Sequence, residues 1–219
     1  MDLSPLHIRV LGTLMEKART TPEVYPLSLN SLVNACNQKT SRDPITDYDE
    51  DEVLGALDEL REEALVMRVD MAGSRVAKFR ENLSNKWELS QEEYALLTVL
   101  FLRGPQTPGQ LRQRTDRLYP FANLEKTVDA LHGMENRDEE PFCLVQTLDR
   151  LPGTKEIRFA HTLLPLDEPV SPQMETEPFH TPPESSSKSE NSSAGLVARI
   201  DELEKRLNEL EKLINELIS

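Results

Sequence analysis

Residues 49–80 read DEDEVLGALDELREEALVMRVDMAGSRVAKFR, and this stretch decides the fold. Asp49 followed by Glu52 has the spacing of a capping box, in which two side chains satisfy backbone N–H groups at a helix start. Val53, Leu57, Leu60 and Ala64 then recur at helical spacing and mark an inward face. Two β-favouring pieces follow, Leu65 to Val69 and Val76 to Arg80, around the turn residues Ala72-Gly73-Ser74. A helix running directly into a hairpin is the closing half of a winged helix.

Upstream, Ser4-Pro5 supplies an N-cap and a first-turn proline, and His7, Val10, Leu11, Leu14 and Ala18 share one face of a helix ending near Arg19. Ser28 caps a short second helix whose inward residues are Leu29, Leu32, Val33 and Cys36. Downstream, the same order returns. Ser90 and Glu93 form a capping box before the almost wholly apolar Tyr94–Leu102, which Gly104-Pro105 stops. Thr107-Pro108-Gly109-Gln110 starts a short helix, and Leu124, Val128 and Leu131 mark a third. Phe142 to Leu148 and Glu156 to Thr162 flank a Pro152-Gly153 turn as a second hairpin. The pattern predicts a mainly α protein with small β-hairpins, of α+β class, built as two tandem winged-helix domains over 1–84 and 85–165. Each is near the lower size limit for an independent core, so the two are expected to pack on each other.

Residues 166–195 are rich in Pro, Ser and Glu and poor in large apolar residues, a composition that predicts a disordered linker. Phe179 and His180 within it offer a docking motif, although a solvated tether is the simpler expectation. Over 196–219 the pattern changes to a heptad seam. Leu196, Ile200, Leu203, Leu207, Leu210, Ile214 and Leu217 alternate spacings of four and three. Arg199 and Arg206 at g face Glu204 and Glu211 at the following e of a parallel partner, so a coiled-coil homodimer is expected. Leu213 and Ile218 widen the stripe and keep a trimer or an antiparallel pair open.

The 219 residues carry 25 Lys+Arg and 39 Asp+Glu, a net charge of −14. Residues 1–165 hold 20 basic and 27 acidic residues and residues 166–219 hold 5 and 12, so each part carries −7. The first −7 is matched by one segment, Asp49 to Glu63, with eight acids against Arg61. Such a helix is poorly suited to a phosphate-lined groove. Cys36 and Cys143 are too far apart for a metal clip and fit a reducing compartment. His7, His132, His161 and His180 lack metal-pair spacing, and phosphate-loop, dinucleotide and nucleophile-elbow motifs are missing. The sequence thus predicts a cytoplasmic, non-enzymatic protein without metal, cofactor or membrane span.

The stretch TTPEVYPLSLNSLVNACNQKTSRDP, Thr20 to Pro44, resembles the signature of the bacterial YceH family of uncharacterised proteins. RGPQTPGQLRQR, Arg103 to Arg114, resembles its second-domain motif, and GSRVAKF, Gly73 to Phe79, its first wing. The resemblance covers the globular part and the heptad tail. It implies tandem winged helices and brings no catalytic residue or cofactor.

Winged helices commonly place the third helix in the major groove and the wing on the backbone, which makes double-stranded DNA a candidate partner by analogy of fold. Basic residues lie away from the third helices. Lys39 and Arg42 follow the second helix, Arg68, Arg75, Lys78 and Arg80 surround the first wing, and Arg103, Arg112, Arg114 and Arg117 mark the second domain's middle helix. Of these, Lys39, Arg42, Arg68, Arg75, Lys78, Arg80, Arg112, Arg114 and Arg117 form the candidate nucleic-acid-binding set. Pairing with the acidic third helices would give several of them a purely structural role. The expected function is a DNA-binding regulator or adaptor acting as a coiled-coil-assisted oligomer. The alternative is a protein-interaction scaffold that binds no DNA.

Overall fold

Four capping boxes set the start of four helices. In the computed structural model, which describes residues 3–70, 76–138, 140–141, 143–150 and 156–164, Ser4, Asp49, Ser90 and Thr107 each accept a bond from a first-turn amide. In each case the residue three positions on bonds back to the cap. The helices are α1 (Pro5–Thr20), α2 (Leu29–Cys36), α3 (Glu50–Glu62), α4 (Leu83–Lys86), α5 (Gln91–Arg103), α6 (Pro108–Arg114) and α7 (Leu124–Glu135). The strands are β1 (Leu27–Ser28), β2 (Val66–Val69), β3 (Lys78–Glu81), β4 (Val145–Leu148) and β5 (Arg158–His161). The hairpin strands are shorter than the expected Val76–Arg80, Phe142–Leu148 and Glu156–Thr162, and β1 and α4 carried no sequence signal of their own.

Strand pairing repeats along with the element order. In the first half, β3 lies between β1 and β2, with Leu27 opposite Phe79 and Arg68 opposite Phe79 on the other side. In the second half, β5 pairs with β4, and its Phe159 also exchanges both backbone hydrogen bonds with Gln106, at 3.0 and 2.8 Å. Gln106 thus stands where β1 stands, just ahead of the second helix. Phe79 and Phe159, at the centres of the two sheets, are both buried in the core.

All described residues fall within one unit, Met1–Pro169. Its two halves share a core because α1 and α5 pack side by side. Both are buried nearly all round, His7–Met15 on one and Tyr94–Leu102 on the other. For α5 this follows from its apolar sequence. Polar Arg9, Thr13 and the small Gly12 make α1 look one-sided, yet Gly12 is what lets α5 approach. A Cβ there would sit 2.8 Å from the Phe101 Cβ and 3.1 Å from Leu102. Tyr94 adds a cross-link by donating to the Met15 carbonyl at 2.8 Å.

No helix among the described residues is long and apolar enough to cross a membrane. The expected linker, 166–195, and heptad segment, 196–219, lie outside the described residues.

Candidate nucleic-acid interface

The α2–α3 loop is held from beneath by two buried arginines. Arg9 on α1 donates to the carbonyls of Cys36 at 3.3 Å and Pro44 at 2.5 Å. Arg42, whose side chain is fully buried, donates to the Ala35 carbonyl and forms a two-pronged pair with Glu16 at 3.2 and 2.7 Å. Burial raises the Glu16 carboxyl, but the Arg42 bond and charge, with Lys17 beside it, pull it below the ordinary carboxylate value. The expectation that Arg42 contacts nucleic acid is therefore corrected: its charge is spent inside the fold, and phosphate cannot reach it. Asn37 ties the loop's ends by donating to the Tyr48 carbonyl at 2.8 Å and accepting from the Tyr48 amide at 2.9 Å.

So anchored, the loop turns its polar residues outward. Lys39 is exposed, and Gln38, Thr40 and Ser41 form one wall of a cleft of about 320 Å³ between the halves. Ser41 adopts a positive φ of 60°. Across the cleft, Arg103 at the end of α5 donates to the Ser41 hydroxyl at 3.0 Å, and the Asp43 amide donates to the Leu102 carbonyl at 2.8 Å. Lys17 enters from α1 and donates to Gln38 at 3.3 Å. Arg114 and Arg117 complete the cationic lining from α6 and the turn after it, with Arg114 held by the Gln106 side chain. Lys17 had no sequence signal beyond a basic residue in a helix's last turn, which ordinarily serves the helix dipole.

The remaining basic residues do not form one face. Arg112 is exposed beside Asp116 at a second, shallower hollow on α6. On the first hairpin, the register sets Arg80 opposite Met67 and Lys78 opposite Val69, so these four share one face of the ribbon. Arg80 donates to the Met67 sulfur at 3.2 Å. Arg68 belongs to the opposite face, where it pairs with Asp70 at 3.1 Å. Arg75 lies outside the described residues, as do Leu196, Ile200, Leu203, Leu207, Leu210, Ile214 and Leu217, expected from the sequence to form an oligomerisation seam. On α3, Glu50, Asp51, Glu52, Asp58, Glu59 and Glu62 are all exposed, and Leu54 among them is 38% exposed.

Residues 3–154 match the family profile described as a protein of unknown function, DUF480. The chain belongs to the DUF480 family. It is 45% identical over 202 residues to a UPF0502 protein of Koribacter versatilis, covering 92% of this chain and 87% of the relative. A UPF0502 protein of Polaromonas naphthalenivorans is 42% identical over 211 residues, covering 93% of each. One from Shewanella halifaxensis is 40% identical over 210 residues, covering 94% and 93%. The DUF480 match spans the first half, the second half through β4 and the cleft, and similarity to these three relatives extends past Pro169 into the C-terminal segment.

Proposed function

We propose that this DUF480 protein is a non-enzymatic tandem winged-helix regulator or adaptor that binds double-stranded DNA through its hairpins and exposed loops. The observation that carries this reading is the strand order found twice: a short first strand before the second helix, paired onto the last strand of a hairpin that follows the third helix. That order supports the winged-helix reading, and the YceH resemblance points the same way. The acidic α3 argues against major-groove insertion by that helix, so the reading assigns contact to the backbone. Lys78 and Arg80, on one face of the β2–β3 ribbon, would lie along phosphates, and a homodimer joined over 196–219 would double the contacts.

The test is binding of a duplex to the full chain across a salt series. Affinity is expected to fall steeply with salt, and Lys78→Glu with Arg80→Glu is expected to abolish it. Absence of binding at low salt would overturn the reading. Deleting residues 196–219 is expected to lower the solution mass, and an unchanged mass would remove the heptad segment from the proposal. The exposed Leu54 within the acidic face of α3 favours a second reading, a scaffold for a basic protein partner. Capture of a protein by wild-type chain but not by Leu54→Asp, with duplex binding absent, would select it.

A further inference from the structure

Among the described residues, one exposed thioether touches a cation of the first hairpin. Met67 is 40% exposed, whereas Met15 and Met134 are fully buried. The β2–β3 register puts Met67 opposite Arg80, on the ribbon face that carries Val69 and Lys78 and lies away from the buried Val66 and Phe79. There Arg80 donates from Nη2 to the Met67 sulfur at 3.2 Å, the only hydrogen bond of its side chain among the described residues. A thioether sulfur is a weak acceptor, so the contact aims the guanidinium along the ribbon without immobilising it. The sulfur has a second lone pair, and its exposure leaves that pair open to reagents in water.

We propose that Met67 is a modification site, oxidised by a hydroperoxide to the sulfoxide, whose oxygen then holds Arg80 against the ribbon. A sulfur lone pair attacks one peroxide oxygen and the O–O bond breaks. The second oxygen leaves as hydroxide and takes the proton from the transferred oxygen, giving water when the reagent is hydrogen peroxide. Sulfur loses two electrons, the peroxide gains them, and one S–O bond forms. Access decides which methionine reacts, so Met67 is modified while Met15 and Met134 stay reduced. The product has a polar S–O group beside a guanidinium that already donates in that direction. A guanidinium on a strong oxygen acceptor makes a charge-assisted bond, well beyond what the thioether supplies. Arg80 is then withdrawn in part from any external anion, and Lys78 is left as the unaltered cation of that face. Reduction of the sulfoxide by a methionine sulfoxide reductase restores the first state. The modification is independent of DNA binding, and only its consequence for a duplex rests on that reading.

The experiment treats the folded full chain with graded hydrogen peroxide and maps added oxygen on tryptic peptides. Cleavage after Arg61 and Arg68 separates Met67 from Met71. Oxidation at Met67 is expected at doses that leave Met15 and Met134 reduced. The Arg80 guanidinium N–H resonances should shift when the wild type is oxidised and stay in place when Met67→Leu is treated. Oxidation of Met15 or Met134 ahead of Met67, or a Met67 sulfoxide with unmoved Arg80 resonances, would overturn the proposal. On a duplex, oxidation should weaken binding about fivefold or more and lower the salt slope by about one phosphate contact. Met67→Gln, which places an amide oxygen near the same point, should show that loss without peroxide, and Met67→Leu should bind alike before and after treatment. A duplex held equally by the reduced and sulfoxide forms would overturn the withdrawal of Arg80. Failure of the duplex to bind even the reduced chain would count against the DNA reading, and the peptide map and the Arg80 resonances would still decide the modification.

Discussion

The two halves of the molecule share a strand order and differ in how they connect their second and third helices. In the first half the connection is a long loop, residues 37–49, fastened by buried Arg9 and Arg42. In the second half a tighter turn after α6 is closed locally, the amides of Leu118 and Tyr119 donating to the Thr115 carbonyl at 2.7 and 2.8 Å and the Thr115 hydroxyl to the Leu111 carbonyl at 2.8 Å. One half thus contributes a shaped loop to the cleft, and the other contributes a helix end bearing arginines. The topology fixes where the walls stand. The connections, which the topology leaves free, decide what lines them.

The sharpest way to break this contrast is Arg42→Ala. It strips Glu16 of its buried partner, leaving Lys17 at 3.4 Å, leaves the Ala35 carbonyl without the Arg42 donors and should cost about 3–5 kcal/mol in denaturant unfolding. The exposed Arg117→Ala should stay within about 0.5 kcal/mol of wild type. Equal losses would mean that the two walls are held alike.

A second contrast lies at the ends of the paired strands, where Glu81 opposite Val66 corresponds to His161 opposite Val145. Burial, with the Phe101 ring edge-on at 5.2 Å, pushes His161 from 6.5 down to about 4. Between those values the unfolded chain binds more protons than the folded one, so His161 makes stability fall as the pH falls, by at most about 3 kcal/mol once pH is below 4. His161→Phe should flatten that part of the pH profile, compared by urea unfolding at pH 7 and pH 4.5. Parallel profiles would show that the imidazole is accessible to protons in the folded state.

The α1–α5 contact that joins the halves is tested by Gly12→Ala. Alanine gains up to about 1 kcal/mol in helix propensity but drives a Cβ into Phe101, and the expected balance is a loss of about 1–3 kcal/mol. A gain in melting temperature would show that α5 can retreat without penalty. Smaller losses belong to the matched capping boxes at Asp49 and Ser90. Replacing either by alanine should cost about 1 kcal/mol, and nearly the same amount in both halves.

Helix starts were legible because a cap is local chemistry. Ser4, Ser28, Asp49, Ser90 and Thr107 all cap where the sequence placed them. The hairpins were legible as alternating β-favouring runs, but β1 was not, because two residues become a strand only when Phe79 is there to pair with Leu27. Gln106 is the same case, joined to Phe159 across more than fifty residues. The candidate site was read least well. Arg42 looked like a loop cation and is buried, while Lys17 looked like an ordinary helix-end residue and lines the cleft.

What the sequence determined by itself was the order of elements, the inward positions Leu32, Cys36, Val53, Leu57, Leu60 and Leu131, and the separation of an acidic third helix from basic residues elsewhere, whereas Ala64 and Leu124 on the same stripes are exposed. These depend on caps, periodicity and composition, all carried by neighbouring residues. The tertiary structure alone decided that α1 is buried on every side, that one loop arginine turns inward to Glu16, and that Lys17, Arg103, Arg114 and Arg117 meet across one cleft. The direction a charged side chain takes is set by the partners that the fold brings within hydrogen-bond reach, and those partners lie many residues away.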